Sequence, residues 1–479
     1  MRIDHQSLSP RHDLRVLFVR HDQTSDGHTA WAGDLPEVLY RHVSDRPWRL
    51  QLIPSHGLIP QPWLALVPLS ADAVELRRRG GQLARLLAEF KLERIHLGSL
   101  PDFGAEWPAS RMLGLLLPGF AQGAYAFTRY QASKRPPSYR LSVSDAVRAS
   151  DSRAWTALAE LTQAARDLIN TPAMDAGPAQ VVTVARRLCR NQGVKVTVYD
   201  RRRLQQLGCG CILAVGAAAA RDRAARMLVL DYPGKGAGAK QKPIVICGKG
   251  VCFDSGGLQI KPGAAMQLMR KDMGGAATVL AAVLAHARQG GRRRLRAYLP
   301  LVENAISGEA FRPGDVLTAA DGTTIEVGHT DAEGRLVLAD ALALGRRDKP
   351  AALLTVATLT GAALVALGRI HVPLMATDHA LADALLAASA ARGEKMWRLP
   401  LDDEHRAMVR SSLAVLTNSA GPEAACITAG AFLAHFAGDI PFAHLDISPA
   451  SWRDKGHDLG PAGATGVMID SLCQFFDSY

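Results

Sequence analysis

The sequence predicts an α/β protein of two domains, and three observations support this. The chain has 479 residues, which is more than a single hydrophobic core usually spans. Strand-like apolar runs alternate with helical patterns in two blocks. A polar, proline-containing stretch at 133–138 separates the blocks. We therefore predict a smaller N-terminal α/β domain at 1–150 and a larger C-terminal α/β domain at 151–479.

The first block alternates strands with helices. Its strand-like runs lie at 14–19, 63–69 and 94–98, and a helical pattern at 71–92 lies between the last two. After the polar stretch, a second helical pattern at 154–169 leads into the C-terminal block. The first block is therefore predicted to form an α/β domain of its own.

The second block has five strand-like runs with helical patterns between them. The runs are almost continuously apolar, which is typical of strands that are buried on both faces. We therefore predict a central mixed, largely parallel sheet that is covered by helices. The runs lie at 194–198, 227–230, 244–247, 297–302 and 352–357.

Polar residues directly follow two of these runs. Lys249 and Asp254 come after the run at 244–247, and residues 358–361 come after the run at 352–357. In such folds ligands bind beyond the carboxyl ends of the strands. We therefore expect a binding site at this edge of the sheet.

Four carboxylates in the second block suit a pair of divalent cations. Asp254, Asp272, Asp331 and Glu333 supply four negative charges, which balance two dications. Other interpretations remain open for three of them. Asp272 precedes a Gly/Ala-rich helical run and could cap that helix. Asp331 and Glu333 could lie in the solvated first turn of a helix, where acids are favoured.

Three basic residues accompany the carboxylates. Lys249 can bind a metal only as a neutral amine, because an ammonium has no lone pair. Lowering its pKa from about 10.4 to below about 7 corresponds to roughly 4 to 5 kcal/mol, which a nearby dication can supply. We expect Lys261 to stay charged and to stabilise an oxyanion. Arg335 is a permanent cation that could hold a small bidentate anion or a substrate carboxylate.

Composition bears on partners and on localisation. The formal charge of +11 suits nucleic acid as a partner, but the arginine runs at 77–79, 201–203 and 292–294 have no interleaved aromatics and indicate solvated faces. No apolar run is long enough to cross a membrane, and the N-terminal residues lack the apolar block of a signal peptide. We expect a cytoplasmic protein whose seven scattered cysteines are reduced.

Three segments of the second block carry a family resemblance. They are 248–262, which begins Gly-Lys-Gly-Val-Cys-Phe-Asp-Ser-Gly-Gly, 271–276, which reads Lys-Asp-Met-Gly-Gly-Ala, and 330–336, which reads Thr-Asp-Ala-Glu-Gly-Arg-Leu. Together they resemble the leucyl (cytosol) aminopeptidase family, and the match runs in order through nearly all of the second block. Supporting matches lie at 170–173, 307–308, 312–315, 357–362 and 443–447.

The resemblance implies a variable N-terminal domain that is joined to a catalytic domain, usually in a homohexamer. It implies two divalent ions per subunit, manganese or zinc, with magnesium or cobalt as alternatives. Lys249, Asp254, Asp272 and Glu333 would hold one ion. Asp254, Asp331 with its carbonyl, and Glu333 would hold the other.

The implied activity is the release of N-terminal, leucine-like residues from peptide substrates by attack of a metal-bridging water. Lys261 would polarise the scissile carbonyl, and Arg335 would hold a bicarbonate that transfers the proton. Some bacterial members of the family also bind DNA, so DNA binding is an additional role to consider, and a nucleic-acid-binding regulator on the same scaffold is the alternative. The residues implied to contact the substrate are Met269, Thr358, Leu359 and Gly361.

The sequence departs from the family pattern just after Ser411, where Ser412 and Val415 stand in place of the usual acids, and at three further places. His329 stands where the family usually has Asn, and Thr355 stands where it usually has Asp. Ala424 and Ala425 belong to a stretch that replaces a Gly-Gly pair. None of these changes removes an implied ligand. We expect them instead to alter the shape of the substrate pocket and the substrate preference. We expect His329 to support the ligands and not to bind a metal itself.

Overall fold

In the computed structural model the chain forms two compact units. Unit 1 comprises Met1–Gln163 and Asp454–Ala462, and unit 2 comprises Ala164–Arg453 and Gly463–Tyr479. The division falls between Gln163 and Ala164, inside the helix Ala149–Asn170, and the boundary predicted at 150 lies near the start of the same helix. Lys134 of that stretch lies outside the described residues. The structure describes residues 2–5, 9, 11–20, 49–133, 135–145 and 147–479.

Unit 1 is built on a sheet whose six described strands have the order β1-β6-β5-β2-β4-β3. Four of the five neighbouring pairs are parallel, and β3 runs antiparallel to β4 at the edge. The strands are β1 (Arg2–His5), β2 (Leu14–Arg20), β3 (Gln51–Pro54), β4 (Trp63–Leu69), β5 (Arg94–Leu97) and β6 (Arg140–Val143). The described helices are α1 (Ala73–Glu89), α2 (Ala109–Gly123) and α3 (Ala149–Asn170).

Helices α1 and α2 pack against each other through glycines. Asp72 caps α1 by accepting a hydrogen bond from the Glu75 N–H at 2.8 Å. A Cβ atom at Gly80 would lie 2.0 Å from the Leu116 carbonyl oxygen, and one at Gly119 would lie 1.9 Å from the Arg77 carbonyl oxygen. The close helix contact therefore requires glycine at both positions.

A buried histidine links β5 to β6 in unit 1. His96 is 2% exposed, and its two ring nitrogens lie 2.8 Å from the hydroxyls of Ser142 and Ser144. Burial, with added repulsion from His12 and Arg15, lowers the pKa of His96 to about 4. The imidazole is therefore neutral in the folded unit at neutral pH.

We expect acid to destabilise unit 1 through His96. An unfolded histidine has a pKa of about 6.5, so the unfolded state binds the proton first as the pH falls. The stabilising contribution is complete above about pH 6.5 and is lost as the pH falls towards 4. Hydrogen exchange of β5 and β6 should show protection factors that fall by up to about tenfold per pH unit in this range. His96→Gln should remove this dependence, and an unchanged acid sensitivity would contradict the assignment.

Unit 2 contains a nine-stranded mixed sheet, which confirms the predicted α/β class. The order is β16-β15-β18-β14-β9-β11-β8-β7, and β10 also pairs with β11. The central strands β18, β14, β9 and β11 are parallel to one another, whereas β15, β8 and β7 introduce antiparallel pairs. The strands are β7 (Lys195–Tyr199), β8 (Arg226–Tyr232), β9 (Ile244–Gly248), β10 (Gly250–Asp254), β11 (Leu295–Asn304), β14 (Ala352–Ala357), β15 (Val372–Ala376), β16 (Met396–Arg398) and β18 (Phe442–Asp446).

Two small sheets complete the strands of unit 2. In the first, β12 pairs antiparallel with β13, and β13 pairs parallel with β17. In the second, β19 pairs antiparallel with β20. These strands are β12 (Val316–Thr318), β13 (Thr324–Glu326), β17 (Leu416–Thr417), β19 (Trp452–Arg453) and β20 (Gly463–Ala464).

Helices cover the large sheet, and its strands β9, β14 and β18 are buried at every residue. Among the described residues, no helix is both long and apolar enough to cross a membrane. All seven cysteines are free and buried. The α-helices are α4 (Pro178–Cys189), α5 (Arg201–Gln206), α6 (Gly210–Val215), α7 (Gly263–Met266), α8 (Gly274–Arg288), α9 (Glu333–Arg346), α10 (Gly361–Leu367), α11 (His379–Ala391), α12 (Asp403–Met408), α13 (Ala425–Ala437) and α14 (Ile469–Ser478). Short 3₁₀ helices lie at Ala173–Asp175, Arg221–Arg223, Gly236–Lys240 and Met269–Met273.

Candidate metal centre

The carboxyl ends of the parallel strands bring the predicted site residues together. Lys249 lies between β9 and β10, and Asp254 is the last residue of β10. Strand β14 lies beside β9, and its Val356 carbonyl accepts a hydrogen bond from the Lys249 N–H at 3.0 Å. The strand register thus places Lys249 and Asp254 at the same edge of the sheet as the loop after β14.

Asp272 reaches this edge from the 3₁₀ helix Met269–Met273, just before α8. It does not cap α8, which begins at Gly274 without a side-chain cap. Its Oδ1 accepts a hydrogen bond from the Thr358 hydroxyl at 2.8 Å. A Cβ atom at Gly275 would lie 2.1 Å from the Val356 carbonyl oxygen, so only glycine allows α8 to approach β14 this closely.

Asp331 and Glu333 lie at the start of α9, and burial distinguishes them. Glu333 is the first residue of α9 and is 1% exposed, which excludes a solvated first turn for this residue. The Asp331 side chain keeps 28% of its surface exposed. The preceding Ala332 makes no side-chain cap, so other groups must hold this turn.

Three of the carboxylates form a compact buried cluster. Oxygens of Asp254, Asp272 and Glu333 all lie within 4.8 Å of one another. Burial, reinforced by the charge of Asp254, raises the pKa of Glu333 to about 8. Burial also raises the pKa of Asp272 to about 6, although Lys249 opposes this shift. Crowding buried carboxylates is costly unless cations neutralise them.

The cluster fits divalent cations. Within the described part of the chain, Glu333 Oε2 is buried and has no hydrogen-bond partner. Buried acceptors are normally satisfied, so an unpartnered oxygen next to two other carboxylates indicates a missing electropositive partner. Oxygen donors of this kind suit hard divalent ions. Asp331 lies outside the compact cluster and is joined to Asp254 through Lys261.

The two lysines are the counter-charges that the protein itself supplies. Lys249 Nζ lies 2.7 Å from Asp272 Oδ2 and 2.9 Å from Glu333 Oε1, and it donates to the Thr358 carbonyl at 2.9 Å. Burial disfavours its charge, but the surrounding carboxylates outweigh burial and raise the pKa of Lys249. These are the contacts of an ammonium. Neutral Lys249 as a metal ligand therefore remains a prediction that depends on a dication displacing the proton.

Lys261 joins the other two carboxylates. Its Nζ lies 2.9 Å from Asp254 Oδ2 and 2.5 Å from Asp331 Oδ1. Burial opposes the charge, but Asp254, Glu333 and Asp331 outweigh it and raise the pKa of Lys261. Lys261 is therefore charged at neutral pH, and its action on an oxyanion stays a prediction.

Arg335 is a buried cation on α9. It is 7% exposed, and among the described residues its Nε has no hydrogen-bond partner. Burial lowers the pKa of Arg335 to about 10, while Glu333 and Asp446 oppose this shift. Arg335 is still charged at neutral pH and is suited to an anion that can satisfy its free N–H.

Three of the four residues predicted to contact a substrate lie in the loop after β14 or directly after it. The Thr358 carbonyl accepts a hydrogen bond from Lys249 Nζ, and the Thr358 hydroxyl donates one to Asp272 Oδ1. Leu359 donates its N–H to Asp446 at 3.1 Å, and exposed Gly361 begins α10. Met269, which is partly exposed, begins the 3₁₀ helix that carries Asp272.

Three polar residues that the sequence analysis did not assign support the cluster. Asn304 donates to Asp254 Oδ1 at 2.8 Å, and its place at the end of an apolar strand was an available signal. Asp446 accepts from the N–H groups of Leu359 and Thr360, each at 3.1 Å. Asn418 contacts the turn before Glu333, and no motif or periodicity marks it.

Three of the departures from the family pattern have local structural consequences. His329 Nδ1 accepts the Asp331 N–H at 3.1 Å, a contact that an Asn side chain can also make. The Thr355 hydroxyl lies 2.8 Å from His444 Nδ1 within the sheet. Ala424 precedes α13 with φ at 48°, a left-handed conformation that glycine adopts at no steric cost. Backbone strain is therefore present where the family has glycines.

We expect Gly334→Ala to disturb the centre while leaving the fold intact. A Cβ atom at Gly334 would lie 2.6 Å from Lys249 Cε and 2.7 Å from its Nζ. The end of a lysine is flexible, so Lys249 would move away from Glu333 and Asp272, and alanine favours the helix by about 1 kcal/mol. Isothermal titration should show Mn²⁺ affinity reduced about 10- to 100-fold, the range for losing a group that supports metal ligands.

Gly263→Ala is the matched control for this prediction. Its added Cβ atom would meet nothing within 4 Å. It should leave both the thermal midpoint and the Mn²⁺ affinity unchanged. Equal Mn²⁺ affinity in the two variants would show that the contact between α9 and Lys249 is unimportant for the centre.

Comparison with known proteins identifies the family. Residues 163–473 match the model of the cytosol aminopeptidase family, catalytic domain. A probable cytosol aminopeptidase from Syntrophotalea carbinolica is 38% identical over 419 residues, covering 85% of this chain and 83% of that protein. The structure of a cytosol aminopeptidase from Coxiella burnetii matches with a TM-score of 0.84 and 31% identity, covering 99% of this chain and 98% of that chain.

A second similar structure was solved with a bound metal. The bottromycin maturation enzyme BotP in complex with Mn matches with a TM-score of 0.85 and 33% identity, and the match covers 97% of this chain and 99% of that chain. The family model, the relatives and the solved structures all indicate an aminopeptidase, and the buried carboxylate cluster is suited to bind metal. The chain belongs to the cytosol aminopeptidase family and is a metal-binding aminopeptidase.

Proposed function

We propose that this chain releases N-terminal residues, with leucine-like residues preferred, from peptides at the carboxylate cluster. One observation carries the proposal: three buried carboxylates with oxygens within 4.8 Å lie beside two lysines and a loop suited to substrate binding. A peptide offers the complementary groups, which are a free amine, a carbonyl oxygen and an N-terminal side chain.

Two divalent ions are proposed to occupy the centre. Lys249, Asp254, Asp272 and Glu333 would hold one ion, and Asp254, Glu333 and Asp331 with its carbonyl would hold the other. When bound, such ions supply Lewis acidity and a water that is deprotonated near neutral pH. The Mn in BotP supports manganese, and zinc, magnesium and cobalt are the alternatives.

The basic residues are proposed to act on the substrate and on the proton. The Lys261 ammonium, already held between Asp254 and Asp331, would stabilise negative charge on the scissile carbonyl oxygen. The guanidinium of Arg335, whose Nε has no hydrogen-bond partner among the described residues, would hold a bicarbonate, and such an anion would supply a group that can accept and donate a proton.

The side-chain preference is proposed to depend on the loop after β14. Thr358, Gly361 and Met269 would surround the N-terminal side chain, and the Leu359 carbonyl would accept a substrate hydrogen bond. Asp446 fixes the direction of this loop by accepting the N–H groups of Leu359 and Thr360. An apolar pocket discriminates by only about 1 to 3 kcal/mol per methylene, so the preference should be broad.

The assembly, localisation and further partners are also proposals. A homohexamer and a cytoplasmic location are supported by the family to which the chain belongs, and light scattering of the purified protein would test the first. The formal charge of +11 supports an additional role in DNA binding. A gel shift at rising salt would test this role, because contacts to phosphates weaken steeply with salt.

The central experiment compares aminoacyl anilides before and after metal removal. Protein loaded with Mn²⁺ or Zn²⁺ should hydrolyse leucine anilide faster than the glycine and glutamate anilides. Chelation should abolish hydrolysis, and reloading should restore it. N-acetyl-leucine anilide should not be cleaved, because it lacks the free amine. Cleavage of the blocked substrate, or activity that survives chelation, would refute the proposal.

A further inference from the structure

We propose that Asn418 is the positioning residue that sets the turn carrying Asp331 and Glu333, and thereby sets the metal affinity of the centre. The inference rests on the proposed function only in taking these two carboxylates as metal ligands. Asn418 lies directly after β17, far along the chain from α9, and is fully buried.

The carboxamide of Asn418 makes four hydrogen bonds, all of them to the backbone of one turn. Its Oδ1 accepts the N–H groups of Gly328 at 2.8 Å and of His329 at 3.1 Å. Its Nδ2 donates to the carbonyls of His329 at 2.8 Å and of Ala332 at 3.3 Å. A carboxamide offers two lone pairs and two N–H groups, and all four are used here.

Asn418 itself is fixed to the small sheet of β12, β13 and β17. Its backbone N–H donates to the Glu326 carbonyl at 3.1 Å, which continues the parallel pairing of β17 with β13. A Cβ atom at Gly328 would lie 2.9 Å from Thr417 Oγ1, so the turn and β17 pack closely. The Asn418 side chain therefore links the turn to this small sheet.

Inside the turn the Asp331 N–H donates to His329 Nδ1 at 3.1 Å, but α9 begins without a side-chain cap and needs support from outside the turn. Ala332, at the N-cap position of α9, has no polar side chain with which to satisfy the first helical N–H groups. On its other side the turn is held at Thr330, whose N–H donates to Gln259 Oε1 at 2.7 Å and whose carbonyl accepts from Asn304 at 3.1 Å. Asn418 and these groups together fix the turn from both sides.

Metal affinity should respond to this support. Ligands must be held within about 0.5 Å of their productive positions, and groups that orient ligands typically contribute 10- to 100-fold in affinity. Asp331 lies between His329 and Ala332, the two residues whose carbonyls accept from Asn418. Glu333 follows Ala332 directly. A shift of the turn would therefore move both carboxylates at once.

The experiment measures Mn²⁺ binding to the full-length protein by isothermal titration in three variants. Asn418→Asp keeps the oxygen that accepts from Gly328 and His329 but loses both donors, and Asn418→Ala loses all four bonds. Thr417→Val is the matched control, because it changes the adjacent residue without touching the turn's hydrogen bonds to Asn418. We expect Mn²⁺ affinity to fall about 10- to 100-fold in both Asn418 variants and to stay within twofold in the control.

Folding and positioning are separated by the fraction of protein that binds. A merely structural role would lower the number of binding sites per chain while leaving the dissociation constant of the folded molecules unchanged, and this result would overturn the inference. Asn418→Asp serves as the second variant if Asn418→Ala does not fold, and unchanged Mn²⁺ affinity in Asn418→Asp would also overturn it.

The outcome for Asn418 is distinguishable from the outcome for the proposed function. Binding of Mn²⁺ that depends on Asn418, in a protein that cleaves no aminoacyl anilide, would refute the function alone. Anilide hydrolysis in a protein whose Mn²⁺ affinity is indifferent to Asn418 would refute the inference alone. Wild-type protein that binds no Mn²⁺ would overturn both.

Discussion

Glu333→Gln is expected to abolish detectable anilide hydrolysis and to weaken Mn²⁺ binding by at least about 100-fold, since merely orienting groups contribute 10- to 100-fold. The substitution keeps the shape of the side chain but removes its charge. Among the residues that the structure describes, Glu333 Oε2 is buried and has no hydrogen-bond partner, and Glu333 lies in the compact cluster with Asp254 and Asp272. Isothermal titration with Mn²⁺ and leucine anilide kinetics are the two measurements.

The fold of this variant should remain intact. Lys249 keeps Asp272 at 2.7 Å and the Thr358 carbonyl at 2.9 Å, so its charge is not left unpaired. Asp340→Asn is the matched control, because it removes a buried carboxylate from the same helix. Asp340 accepts the N–H groups of Ile212 and Ala320, both at 2.8 Å, so its loss should affect stability and not Mn²⁺ affinity. Full activity in Glu333→Gln would mean that the cluster is not the catalytic centre.

Lys261→Met should lower kcat by about 100- to 1,000-fold, the range for removing one group that stabilises an oxyanion. The KM should change little, because the charge on the carbonyl oxygen develops in the transition state. Mn²⁺ affinity should stay constant or rise, since Lys261 no longer competes with the ion for Asp254 and Asp331. Steady-state kinetics at saturating Mn²⁺, together with titration of the metal, would measure both effects.

The two variants therefore fail in different ways. Glu333→Gln should lose the metal, whereas Lys261→Met should bind it and turn over slowly. Lys261→Arg should recover part of kcat, because a guanidinium keeps the charge with a different shape. A Lys261→Met enzyme with normal kcat, or one whose only defect is weak Mn²⁺ binding, would assign Lys261 to holding the site together and not to catalysis.

The elements around the centre could be predicted because their sequence signals are local. Strand β9 is an unbroken apolar run, Lys249 directly follows it, and Asp254 ends the next strand, β10. The parallel order of β9, β11 and β14 follows from the same apolar character and explains why distant segments meet. Glu333 opens an apolar helix, and this could also be expected from the sequence.

The supporting groups could not be predicted, because single polar residues carry no periodicity. Asn418 contacts a turn that precedes it by about ninety residues, and only the folded register of β13 and β17 places it there. The pKa of Lys249 could not be predicted either, because it depends on which groups surround the side chain in the fold. Burial lowers this pKa, and the neighbouring carboxylates raise it. The helical pattern of α3 is continuous from Ala149 to Asn170, so the sequence has no signal that marks a division between Gln163 and Ala164.

The return of Asp454–Ala462 to unit 1 has a consequence for biosynthesis. These residues supply contacts that α1 uses, including an ion pair between Arg78 and Asp458 and a hydrogen bond from Arg85 to the His457 carbonyl. A ribosome adds about 5–20 residues per second, so the nascent N-terminal unit waits roughly 15 to 60 s for residues 164–453 to be made. Unit 1 is thus completed only after most of unit 2 has been synthesised.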